Sequence, residues 1–186
     1  MIEHCLSSGN TGRGLNIASD ATIIGVTAHD NGGSGIYTGD GCTIIECAAS
    51  SNSNIGIEAS GACVIERCVT RNNESDGIRV TSANIVRGNT SAGNGQSAQS
   101  GVGIRVLGAA NRLEDNNCTF CDTGYTITFG GNFLTRNTAS QNTSANWSIV
   151  AGNKCMVVSG VGAGAINGNS GGTSPGSTDP NANFTY

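Results

Sequence analysis

Residues 43–63 read TIIECAASSNSNIGIEASGAC, and both neighbours are close copies: residues 22–42 are TIIGVTAHDNGGSGIYTGDGC and residues 64–84 are VIERCVTRNNESDGIRVTSAN. A return every 21 residues to the same Ile, Cys, Asn and Gly-Ile marks a repeat architecture. Working outward, coils beginning at Met1, Thr22, Thr43 and Val64 align without a gap, and those beginning at Ile85, Arg112 and Phe133 follow after small changes of length. The second position then reads Ile2, Ile23, Ile44, Ile65, Val86, Leu113 and Leu134, and the fifth reads Cys5, Val26, Cys47, Cys68, Asn89, Asn116 and Asn137. The tenth is Asn in every coil but one, where Cys121 stands.

Within a coil, apolar residues alternate with period 2 in short runs separated by Gly, Asn or Ser, as in Cys42-x-Ile44, Cys47-x-Ala49 and Ile57-x-Ala59. This spacing predicts three short strands per coil. The density of Gly and Asn and the β-branched residues at strand positions disfavour helix. Stacked at about 4.8 Å, seven coils make an all-β rod roughly 34 Å long. Asn at a fixed corner is expected to adopt left-handed backbone and to bond to the Asn of the next coil. No coil buries its apolar side alone, so identical side chains stacked in columns build the core.

Composition agrees. The 186 residues carry 29 Gly and 22 Asn against 2 Pro and 4% aromatics, with 12% charged residues and a net charge of −4. No basic footprint points to nucleic acid, and no apolar run approaches the roughly 20 residues of a membrane span. Met1-Ile2-Glu3-His4 already lies within a repeat, so no signal peptide is read in this chain. Residues 1–158 are read as the rod. Residues 159–186, rich in Gly, Ser and Asn, are read as a C-terminal cap that folds back, with Phe184 and Tyr186 as anchors.

The Asn and Gly-Ile spacing over residues 1 to 150 resembles the right-handed parallel β-helix proteins of the pectate-lyase-like group, and NTASQNTSANWSIVAGN with the closing STDPNANFTY resembles the C-terminal ends of bacterial members without assigned activity. The resemblance implies a right-handed solenoid. It leaves function open, because that group holds lyases, hydrolases, epimerases, phage tailspikes and proteins of no known chemistry.

The cysteines invite a metal reading, since Cys42-x4-Cys47 and Cys63-x4-Cys68 recur 21 residues apart. Taken as inward strand positions, they read instead as small core residues. Stacked side chains run parallel, which does not suit a disulfide, so buried thiols are expected, with no metal and no cofactor. Cys118 is placed on the inward position of Ala139.

For catalysis, the signatures of pectate lyases, polygalacturonases and alginate epimerases are missing from the chain. His29 and Asp30, with Arg71 two coils on in the column of His29, form a weak acid–base constellation. Adjacent in an extended segment, His29 and Asp30 are expected on opposite sides. The exposed column after each Gly-Ile holds Asn16, Tyr37, Glu58, Arg79, Arg105, Thr126 and Ser148. This column is not self-neutralising: Arg79 and Arg105 fall on adjacent coils with no carboxylate between them, beside five extra residues between Asn94 and Gly103. Tyr37, Glu58, Arg79 and Arg105 are therefore the candidate binding residues for an acidic polysaccharide, with Tyr37 offering a ring face to a sugar. A second column alternates in sign and predicts the pairs Glu46–Arg67 and Glu66–Arg87.

The reading that follows is a non-catalytic, exported β-helix domain, a rigid scaffold with weak acidic-polysaccharide binding. The alternatives are a polysaccharide lyase or epimerase and a phage tailspike-type fragment. The unpaired strands of the first coil form an edge that invites end-to-end self-association.

Overall fold

The computed structural model describes residues 1–95, 100–155, 157–159, 166–168 and 181–186, of which 157–159 and 166–168 are described by backbone alone. The chain winds as a three-sided prism of short, wholly parallel strands. Sheet 1 has eight strands, from Ile2–Glu3 to Lys154–Cys155. Sheet 2 has nine, beginning with Leu6–Ser8, and sheet 3 has eight, from Leu15–Ile17 to Ile166–Gly168. The register is the one the repeat predicts: Ile23, Ile44, Ile65, Val86, Leu113 and Leu134 are successive partners in sheet 1. Ile36, Ile57, Ile78, Ile104, Tyr125 and Trp147 follow one another in sheet 3. All are buried, and the rings of Tyr125 and Trp147 stack 4.4 Å apart.

The corners differ from expectation in an instructive way. Each coil turns three times, and each turn uses one residue with positive φ followed by one whose side chain points inward. After sheet 1 the turning residues are His4, Gly25, Glu46, Arg67, Gly88, Asp115 and Arg136, and after sheet 2 they are Gly9, Asp30, Ser51, Asn72, Gly93, Phe120 and Gln141. The ladder asparagines therefore do not carry the left-handed backbone; the residue before each of them does. Freed from that task, Asn52 donates from N–H and Nδ2 to Oδ1 of Asn73 at 3.1 and 2.9 Å, and from Nδ2 to the carbonyl of Ala28 at 3.1 Å. Two further ladders of this kind run through Asn84, Asn111, Asn132 and Asn153, and through Asn89, Asn116, Asn137 and Asn183.

Cys42, Cys47, Cys63 and Cys68 belong to those two ladders and not to the strands. Cys42 and Cys63 stand in line with Asn84, and Cys47 and Cys68 with Asn89. Sγ of Cys63 accepts the Cys42 N–H at 3.4 Å, Sγ of Cys47 donates to the Ile23 carbonyl at 3.7 Å, and the Cys68 N–H donates to Asn89 Oδ1 at 2.8 Å. A thiol imitates the amide's role with weaker bonds. Cys118 sits where the sequence put it, in sheet 2 opposite Ala139, and so does Cys121, which takes the Asn place in the first ladder, accepting from Asn94 Nδ2 at 3.9 Å and donating its N–H to Asn142 Oδ1 at 2.9 Å. No disulfide joins the cysteines of the chain.

Burial pushes the thiols of Cys63, Cys118 and Cys121 up and that of Cys155 up to about 11, while a hydrogen bond with Cys68 pulls Cys47 down. Groups whose pKa is raised by folding stabilise fully below the unfolded thiol value of about 8.5, so their contribution is lost as pH climbs from there toward 11. The expected result is an alkaline fall in melting temperature over that window. Native alkylation should reach Cys5, the one exposed cysteine, and spare the seven buried ones until denaturant is added without reductant. Mass spectrometry finding Cys42, Cys47, Cys63 or Cys68 alkylated as fast as Cys5 would contradict the buried ladder.

At the C-terminal end, Asn183–Thr185 forms a strand of sheet 2. The expected anchors are reversed: Ala182, Asn183 and Thr185 are buried, whereas Phe184 and Tyr186 are exposed. Most of the segment read as a cap, residues 160–165 and 169–180, lies outside the described residues. At the other end Met1 and Leu6 are 83% and 68% exposed.

Candidate functional site

Sheet 3 carries the site on its outer face. Tyr37, Glu58, Arg79 and Arg105 are successive register partners, so the four candidate residues stand in one column. What the sequence reading lacked is a carboxylate between the two arginines. Asp76 supplies it from the turn before Gly77, and its side chain is completely buried. Its Oδ2 accepts Nε of Arg79 and Nε of Arg105, both at 2.8 Å, and Nη2 of Arg79 at 2.7 Å. Its Oδ1 accepts Nη2 of Arg105 and the Val102 N–H, both at 3.0 Å.

This clamp has two consequences. Two guanidiniums on one carboxylate leave a net charge of +1, and each arginine uses its Nε and Nη2 edge inward. Among the described residues Nη1 of neither arginine has a hydrogen-bond partner, and the side chains remain 29% and 25% exposed. The rotamer freedom that normally discounts a surface arginine is removed by a buried anchor, so the two guanidiniums are held in fixed positions one rung apart, each with its Nη1 left to donate.

The described ends of the inserted loop lie beside Arg105. Gly95, with φ +79°, approaches Gly101 so closely that an added Cβ would lie 2.1 Å from its Cα. This pinched neck brings the Ser100 carbonyl within 3.2 Å of Arg105 Nη2. The loop's remaining residues, 96–99, lie outside the described residues.

The upper part of the column is organised by a residue the sequence reading passed over. The Arg13 guanidinium lies over the Tyr37 ring, 3.7 Å from its centre, and reaches Asn16 Oδ1 at 3.3 Å and Glu58 at 4.0 Å. Tyr37 therefore does not offer that ring face; a cation covers it. Glu58 also accepts Ser34 Oγ at 3.3 Å. The spacing Arg13-Gly-Leu-Asn16 repeats that of Asp76-Gly-Ile-Arg79: a polar residue before the Gly-Ile turn reaches the outward residue three positions on. That recurrence is the signal from which Arg13 and Asp76 were legible.

His29, Asp30 and Arg71 lie elsewhere, on sheet 2 and its corner. Asp30 takes φ 54°, and the turn swings its carboxylate to 2.7 Å from His29 Nδ1, so the expectation of opposite sides fails where extended backbone ends. Arg71 stands two rungs from His29, in line through Ser50, about 10 Å away at strand spacing. Its guanidinium makes no ion pair among the described residues. Sheet 1 carries the expected self-neutralising pairs, Arg67–Glu46 at 3.1 Å and Arg87–Glu66 at 2.5 Å, joined by Arg67–Glu66 and Arg136–Asp115. No group of His, Cys, Asp or Glu among the described residues is arranged to hold a metal ion, and no helix among them is long and apolar enough to cross a membrane.

Residues 13–172 match the family described as the right handed beta helix region. The chain belongs to that right-handed β-helix family. No curated protein matches its sequence. Among solved structures, it is similar to pectate lyase Pel9A, with a TM-score of 0.72 and 17% identity over 95% of this chain and 54% of that one. It is also similar to the periplasmic alginate epimerase AlgG, with a TM-score of 0.59 and 19% identity over 90% of this chain and 44% of the epimerase. The chain spans about half the length of the lyase and less than half of the epimerase, and at these identities the likeness is one of fold.

Proposed function

We propose that the chain is a non-catalytic β-helix domain of an exported protein, a rigid scaffold that holds an acidic polysaccharide against sheet 3. The observation that carries the reading is the Asp76 clamp: two guanidiniums, fixed one rung apart by a buried carboxylate, present unused donors and one excess positive charge. A guanidinium N–H makes a charge-assisted hydrogen bond to a carboxylate or sulfate, and strands about 4.8 Å apart space the two Nη1 groups along a linear polyanion. The lyase and the epimerase of similar fold, by their names, act on pectate and alginate, both acidic glycans. Against catalysis stands the state of the carboxylates on this face. Asp76 is held by two arginines and Glu58 lies 4.0 Å from Arg13 and accepts Ser34 Oγ, so neither stands unpartnered on this face.

The test is a titration of uronate-containing and sulfated oligosaccharides at low and moderate salt, with ultraviolet detection of unsaturated ends. Removing both arginines would strand Asp76 as an unpaired buried charge, so the informative variants are Arg79→Ala, which leaves the Arg105 pair, and Arg79→Lys/Arg105→Lys, which keeps charge and loses the forks. Binding should be weak in the native chain, fall about tenfold in either variant, as loss of about 1.4 kcal/mol implies, and weaken with salt. Equal binding by all three proteins removes the site. Unsaturated products would replace the scaffold reading with a lyase.

A further inference from the structure

The C-terminal strand breaks the order of the rod. In sheets 1 and 3 the last strands follow their predecessors by one rung, Phe133–Thr135 to Lys154–Cys155 and Ala145–Ile149 to Ile166–Gly168. In sheet 2, Val157–Ser159 does not stack on Thr138–Ser140. Asn183–Thr185 is wedged between them, paired parallel to both. Among the described residues, one side of the prism therefore has one more rung than the other two. A cleft of about 360 Å³ opens beside it, lined by Phe133, Thr135, Lys154, Cys155 and Asn181.

The inserted strand fits its slot residue by residue. Asn183 Oδ1 accepts Asn137 N–H and Nδ2 at 2.9 and 2.8 Å, and its own Nδ2 donates to the Leu134 carbonyl at 3.0 Å, so it is a rung of the asparagine ladder. Thr185 Oγ1 accepts the buried Trp147 Nε1–H at 2.6 Å. Asn181 is tied in by Arg136 N–H and Thr135 Oγ1, which donate to its carbonyl. These are bonds made to a strand that arrives out of sequence order, on a tether of twelve residues, 169–180, which spans up to about 40 Å when extended.

We propose that the gap between Thr138–Ser140 and Val157–Ser159 is a strand-acceptor site, and that a second copy of this chain fills it in trans with its own Asn183–Thr185. A parallel strand added between two others supplies main-chain bonds for affinity, while the slot selects Asn at the ladder position and Thr two residues on. Asn183-Phe-Thr185 of this chain meets both demands. Reciprocal exchange between two copies gives a closed, two-fold dimer without new surface.

The test uses the full chain and a peptide of residues 179–186 carrying a photoreactive phenylalanine at the position of Phe184, which is exposed. After slow incubation and illumination, the label should map to the segment around Thr138, its register partner, and should be lost from a peptide with Asn183→Ala. In parallel, equal amounts of isotopically heavy and light full-length protein are concentrated together, and hybrid dimers should accumulate at the statistical proportion. Labelling by a scrambled peptide equal to that by the native one, or no labelling at all, overturns the acceptor site. Strict monomers at every concentration, or dimers whose formation excess native peptide does not inhibit, overturn the trans strand.

Discussion

Ile57→Asp should leave no folded protein at ambient temperature. Ile57 is fully buried between Ile36 and Ile78 in sheet 3, and the column continues unbroken from Leu15 to Trp147. A carboxylate there loses hydration and finds no cation, since the inner faces on either side present Ile44, Ala49 and Ile65. Such a change belongs with the most destabilising substitutions, above about 4 kcal/mol, against a total stability of roughly 5–15 kcal/mol. Because each coil rests only on its neighbours, the lesion, in the third coil, cuts the two coils before it from the four after it. Circular dichroism and light scattering should report lost β-signal or aggregation, whereas Glu58→Gln, next in sequence but outward, should melt almost as the native chain does. A soluble Ile57→Asp protein with unchanged melting temperature would remove the register.

The second large effect is expected at Asp76. Asp76→Ala deletes the acceptor shared by Arg79, Arg105 and the Val102 N–H, leaving two like charges one rung apart. Removing one partner of a wholly buried pair costs about 3–5 kcal/mol. Here both guanidiniums keep access to water, so the loss should be nearer about 2–3 kcal/mol, much of it from the orphaned amide. Asp76→Asn retains an acceptor for that amide and should fall between. A double-mutant cycle decides the cause: the penalty of Asp76→Ala should shrink sharply in an Arg79→Ala/Arg105→Ala background. Additive penalties would mean that the three residues do not act as one clamp.

The rod was legible because its period is rigid: a strand residue such as Ile44 has the same neighbours whichever coil is examined, so one alignment fixes every column. The corners were harder to read. Left-handed positions are filled by Glu46, Arg67, Asp115 and Arg136 as readily as by Gly25, so residue type does not mark them, and the asparagines one place later drew the attention instead. Cys42, Cys47, Cys63 and Cys68 are the buried core thiols expected, but they were set on strands for the same reason, although Asn89 and Asn84 sit in their columns and name their role. In the site, outward residues were found by alternation, but Asp76 and Arg13 occupy the turn before the glycine, where period-2 reasoning stops. At the C-terminus the large aromatics suggested anchors, while the bonds are made by Asn183 and Thr185, whose small polar side chains carry no such signal in sequence.

The most direct test of acidic-polysaccharide binding is a crystal structure of the chain soaked or grown with a short uronate oligosaccharide. The expected result is an intact oligosaccharide lying along sheet 3, with carboxylates on the outward Nη1 edges of Arg79 and Arg105 and the Asp76 clamp unchanged beneath them. A saccharide bound instead on sheet 2 near His29 and Arg71, or one found cleaved with an unsaturated end, would contradict it.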